Sequence, residues 1–85
     1  MTGAFEDQAE TPTKRMLNCR GMRCPLPVIY ARKTLALMPR GELLTVIATD
    51  PGSVVDFAEF SRHGGMEVVA HREDGGDHVF LVGQP

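Results

Sequence analysis

The stretch Cys24-Pro25-Leu26-Pro27 fixes where the first helix of this chain can begin. Proline holds φ near the helical value and has no N–H to donate, so it suits the first turn of a helix. With Pro25 at the first helical position, Cys24 becomes the N-cap. Pro27 then falls at the third position, where an N–H has no intrahelical partner in any case. This placement leaves the N–H groups of Leu26 and Val28 as free donors near the cap. Val28, Ala31, Leu35 and Met38 follow at helical spacing, with Arg32 and Lys33 off that stripe. Pro39 and Gly41 stop the helix.

The remaining segments fall into place around that helix. Residues 15–19 form a short strand, ended by the turn-prone Arg20-Gly21-Met22 in which Gly21 can take a positive φ. Residues 42–49 are a nearly continuous aliphatic and β-branched run, as a central strand requires. Ser53 and Asp56 resemble a capping pair with a carboxylate in the first turn of a second helix, which runs to about His63 and ends at Gly64-Gly65. Val54, Phe57 and Ala58 would face the core. The segments MEVVAHRE and HVFLVG flank DGGD, a strong hairpin signal. The order β-α-β-α-β-β predicts an α+β fold: a two-layer α/β sandwich, with a mixed four-stranded sheet and both helices on one face. Eighty-five residues suffice for one small domain. Residues 1–14, polar and acidic without a sustained period, read as a flexible tail, and 15–85 as the domain.

Several classes of function are disfavoured by what the chain lacks. No run reaches the roughly 20 apolar residues of a membrane span, and the first residues carry neither a basic nor an apolar leader pattern, so a cytoplasmic protein is expected. Cys19 and Cys24 are too few for a disulfide-stapled scaffold. A cysteine hydrolase needs a base beside its nucleophile, yet His63, His71 and His78 all lie far along the chain. Cys-x4-Cys is off the usual zinc-finger spacing, and a C-x-x-C redox motif is absent. No metal and no cofactor are expected.

Charge is unevenly spread. Residues 11–41 hold Lys14, Arg15, Arg20, Arg23, Arg32, Lys33 and Arg40 with no acidic residue, although the net charge of the chain is −2. Cys24 sits inside this block, at the positive end of a helix dipole and close in sequence to Arg20 and Arg23. Such surroundings favour an anionic sulfur, whether thiolate or persulfide. The same block would steer an anionic ligand or an acidic partner.

The stretch LNCRGMRCPLPVIYARKTL resembles the signature of the TusA/SirA family of small sulfur-carrier proteins, and ATDPGSVVDF and the order of elements agree with it. The resemblance runs from about Leu17 to Val82 and centres on Cys24, Pro25 and Pro27. It implies a two-layer α/β sandwich and a persulfide relay. Cys24 would accept sulfane sulfur from a cysteine desulfurase or rhodanese-type donor and pass it to an acceptor sulfurtransferase, in tRNA thiolation, cofactor assembly or sulfur oxidation. Such a protein is a carrier rather than a stand-alone enzyme. Asn18 stands where the family often has Asp, Ala58 where many members have Pro, and Ser61 where some have a second cysteine. Arg20, Arg23, Arg32 and Lys33 would form the docking surface, since transient handoff favours electrostatic steering. A monomer is expected.

Two other readings of the same residues compete. A binding or regulatory module would use the basic face and leave Cys24 idle. Direct RNA binding is not expected, because Tyr30 is the single tyrosine and the four phenylalanines fall in the tail or the core. A thiol-redox protein would instead cycle Cys19 and Cys24, with Cys19 as a resolving thiol. Alternatively Cys19, at a strand end, is a small core residue.

Overall fold

The computed structural model describes residues 15–85. The tail expected over 1–14 lies outside the described residues. The elements run β1 (Met16–Cys19), α1 (Leu26–Ala36), β2 (Leu44–Ala48), α2 (Gly52–Arg62), β3 (Glu67–Asp74) and β4 (Asp77–Gly83). The four strands form one mixed sheet in the order β1-β2-β4-β3. β1 and β2 are parallel, with Met16 opposite Thr45 and Cys19 opposite Ala48. β4 is antiparallel to both β2 and β3.

One face of the sheet carries the core. Cys19, Leu44, Val46, Ala48, Phe80 and Val82 alternate along their strands and pack against Val28, Ala31, Leu35 and Met38 from the α1 segment and Phe57 from α2. All four positions of the predicted α1 stripe are therefore buried. Phe57 is fully buried and stacks on Phe80, with ring centroids 4.2 Å apart. Ala58, expected in the core, is exposed. It follows Phe57 directly, and the 100° step of a helix carries it off the buried face.

The ends of the elements are set by specific residues. Gly64, at φ +83°, donates its N–H to Ser61 O at 3.0 Å, while the Gly65 N–H reaches Phe60 O at 2.9 Å. This pair of bonds is a Schellman motif closing α2. β3 and β4 meet across Gly75-Gly76, where Gly75 has φ +65° and Asp74 faces Asp77. At the far end of α1, the Gln84 side-chain amide donates to the carbonyl oxygens of Leu35 and Met38. The chain after β4 thereby adds a donor to the carbonyls at the end of the helix.

Both helix starts differ from the sequence reading. The Cys24–Pro25 peptide is cis, and Pro25 is the N-cap of α1, its carbonyl accepting the Ile29 N–H at 3.2 Å. Pro27 is therefore the second helical residue, and Cys24 lies one residue outside the helix. The Leu26 N–H is not free, since it donates to Arg23 O at 2.9 Å. At α2, Ser53 does not cap. It is fully buried and its Oγ has no hydrogen-bond partner. Asp50 does that work: its Oδ1 accepts the Gly52 N–H at 2.9 Å and its carbonyl accepts the Ser53 N–H at 2.9 Å. Asp56 lies beyond the first turn of α2.

Candidate functional site

Because β1 and β2 are parallel neighbours, the loops leaving Cys19 and Ala48 emerge side by side at one end of the sheet. That end of the strands is where open α/β sheets place their sites. The loop after β1 begins with a tight turn, in which the Met22 N–H donates to Cys19 O at 3.1 Å. Gly21 is its third residue at φ +81°, the value a type II turn requires there. The Asn18 amide oxygen accepts the Arg20 N–H at 3.1 Å, supporting the turn from β1.

Two hydrogen bonds then tie this loop to the loop after β2. The Gly21 N–H donates to Thr49 Oγ1 at 2.9 Å, and the Cys24 N–H donates to Asp50 Oδ2 at 2.8 Å. One carboxylate thus holds the backbone of Cys24 with one oxygen and the start of α2 with the other. These charge-assisted bonds favour the ionised carboxylate. The Cys24 N–H is the largest cause that keeps Asp50 below the usual carboxylate range, followed by the Gly52 N–H, with burial opposing and Arg23 assisting.

Cys24 is exposed, and both cysteines are free thiols. Its sulfur lies against α2, so close that a Cβ added at Gly52 would stand 3.1 Å from Sγ. Asp56 is four residues beyond Gly52 and so shares that helical face. Its Oδ2 is buried without a hydrogen-bond partner at bonding distance. The Cys24 thiol is pushed above the ordinary cysteine range, first by the Asp56 carboxylate as a ready acceptor for its proton, then by desolvation and by the charges of Asp56 and Asp50. For the unloaded thiol, these carboxylates act against the anionic form that the neighbouring arginines lead one to expect.

Arg20 and Arg32 have partners away from the sulfur. Arg20 turns away to Asp77 at the start of β4, donating from Nε at 3.0 Å and Nη2 at 2.8 Å to Oδ2. Asp77 is lowered chiefly by that bond. Arg23 acts on Asp50. Arg32 sits over the Phe60 ring of α2, 5.8 Å from its centroid, and Lys33 is exposed on α1. Among the described residues of the basic block, Arg20 is therefore met by Asp77 and Arg23 by Asp50, both arriving from later in the chain.

Cys19 has no exposed surface, and burial pushes its thiol up. It packs in the core at the end of β1, and a resolving role would require that core to open. Among the described residues no group of three or more His, Cys, Asp or Glu side chains could hold a metal ion. No helix among them is long and apolar enough to cross a membrane. The sequence reading missed Asp50 as a site residue, although Asp-Pro-Gly before a helical segment is a recognisable cap signal. Asp56 has no such signal, because only the folded chain brings it to Cys24.

The family model described as Sulfurtransferase TusA matches residues 15–83. The sulfur carrier protein TusA of Allochromatium vinosum is 48% identical over 66 residues, spanning 78% of this chain and 87% of that protein. A crystal structure of the SirA-like protein of Desulfitobacterium hafniense matches with a TM-score of 0.64 at 27% identity, covering 82% of this chain and 97% of that one.

Proposed function

The chain belongs to the TusA family of sulfur carriers, and from that premise we propose that Cys24 carries sulfane sulfur as a persulfide between a donor and an acceptor protein. The observation that carries the reading is that Cys24 is the exposed thiol of the pair and sits on a backbone pinned by Asp50. Fixing the sulfur in this way pre-orients it for in-line attack and reduces the entropy lost on docking.

The chemistry is thiol exchange. The Cys24 thiolate attacks the outer sulfur of a donor persulfide, a new S–S bond forms at Cys24, and the donor cysteine departs as a thiolate that takes up the proton Cys24 gave up. In the second half the acceptor thiolate attacks the outer sulfur on Cys24, which then leaves in its turn. No external oxidant is consumed in either step. Each S–S bond places the outer sulfur about 2 Å beyond Sγ, where an incoming thiol can reach it.

A cysteine desulfurase or a rhodanese-type protein fits as donor, and a sulfurtransferase as acceptor, in tRNA thiolation, cofactor assembly or sulfur oxidation. Arg20, Arg23, Arg32 and Lys33 are proposed to orient these partners, and Pro25, Pro27 and Gly21 to shape the loop that presents the sulfur. Intact-mass analysis after incubation with a cysteine desulfurase and cysteine tests the reading. One added sulfur, removed by reductant and missing from Cys24→Ser, is expected. No adduct with any sulfane donor would sink it.

A further inference from the structure

The face of α2 that touches Cys24 offers the sulfur two groups, the bare backbone of Gly52 and, one turn on, the carboxylate of Asp56. Gly52 lets the sulfur settle against the helix, since a side chain there would stand 3.1 Å from Sγ. At that position the thiol lies on the helix face one turn before Asp56, whose Oδ2 is buried and without a hydrogen-bond partner. An acceptor of this kind is well satisfied by an S–H donor and is repelled by a thiolate.

We propose that Asp56 is a positioning residue for sulfur transfer, whose carboxylate keeps the proton on Cys24 and so slows exchange with small thiols and electrophiles in both directions. The inference rests on the carrier reading for its consequence, but its core concerns the unloaded thiol alone. Cys24 must be a thiolate both when it attacks a donor persulfide and when it departs from its own. The same carboxylate therefore opposes the charged sulfur at loading and at unloading. The outer sulfur of the loaded form lies about one S–S bond length further out and is relieved of part of this repulsion.

Among the described residues, the charges that act on the thiol are those of Asp56 and Asp50. Asp56 approaches from α2 and Asp50 from the loop after β2, while Arg23 acts on Asp50. Neither helix has an acidic residue in its first turn, and Arg20 is turned to Asp77. Asp56 stands first among the causes acting on the thiol, and Asp50 contributes by charge alone.

The test is the rate of iodoacetamide alkylation of Cys24 against pH, in the wild-type chain, Asp56→Asn, Asp56→Glu and Asp50→Asn. Asp56→Asn should move the midpoint to lower pH and raise the rate at pH 7 several-fold. Asp56→Glu, which keeps the charge, should stay near wild type, and Asp50→Asn should shift less. After loading with sodium polysulfide, transfer of the outer sulfur to glutathione should also be several-fold faster in Asp56→Asn. An unmoved alkylation profile in a folded Asp56→Asn chain, or an equal shift in Asp56→Glu, overturns the inference. If the profile moves but Cys24 takes up no sulfane sulfur, the carrier reading fails and the assignment of Asp56 stands.

Discussion

At the scale of single residues, Asp50 organises the site more than any residue of the Cys-Pro-Leu-Pro stretch. Its two oxygens hold the Cys24 N–H and the Gly52 N–H, so removing them unties the sulfur loop and uncaps α2 together. Asp50→Ala should lower the urea midpoint and open residues 20–25 to proteolysis, and unchanged protection of that loop would contradict the geometry. The pH dependence has a definite sign. Asp50 and Asp77 have depressed folded values, so their stabilisation is fully present above the ordinary carboxylate range of about 4. It is lost as pH falls through the lower folded values, and the thermal midpoint should drop on acidification below pH ~4. The sequence singles out Cys24, and the fold leaves it the exposed one of the two thiols. Its electrostatics were not legible in the sequence, because Arg20 and Arg23 are neighbours in the chain whereas Asp50 and Asp56 come from a later segment. Proximity along a chain says little about fields that act through space.

At the scale of elements, apolar spacing placed the α1 stripe but misplaced Ala58, and both helix starts differed from the sequence reading. The α1 stripe and the β4–β3 hairpin follow directly from apolar spacing and from Gly75-Gly76. The capping pair read from Ser53 and Asp56 fails because Ser53 is taken by the core, leaving Asp50 and Pro51 to start α2. Helix ends depend on one or two residues, and a neighbouring polar side chain can replace the expected one. Two substitutions separate stability from the site. Gly64→Ala forces a side chain into positive φ and should cost about 1–2 kcal/mol in chemical denaturation. Phe57→Ala empties the stack with Phe80 and should cost roughly 3–5 kcal/mol. Gly64→Ala lies at the opposite end of α2 from Cys24, so its sulfur loading, read by mass, should match wild type.

At the scale of the whole molecule, the net charge of −2 conceals an uneven spread of charge along the chain. Arg32 and Lys33 stand exposed on α1, which begins beside the sulfur. Arg32→Glu with Lys33→Glu should slow loading by a protein donor several-fold at low salt and less at high salt, as steering is screened. Loading by sodium polysulfide should be unaffected, which separates docking from chemistry. A loss of both would place these residues in the fold rather than at the interface.

The tie between Cys24 and Asp50 also determines how the cargo can move. A thiol on a long tether sweeps a volume and finds its partner by swinging, but this sulfur is fastened to the strand ends and lies against α2. The carrier has no arm, so the body of 29 × 28 × 20 Å must itself travel and turn until the sulfur points at its recipient. On the relay proposed above, the moving parts of each handoff belong to the donor and the acceptor, which must reach out to a fixed point on this surface.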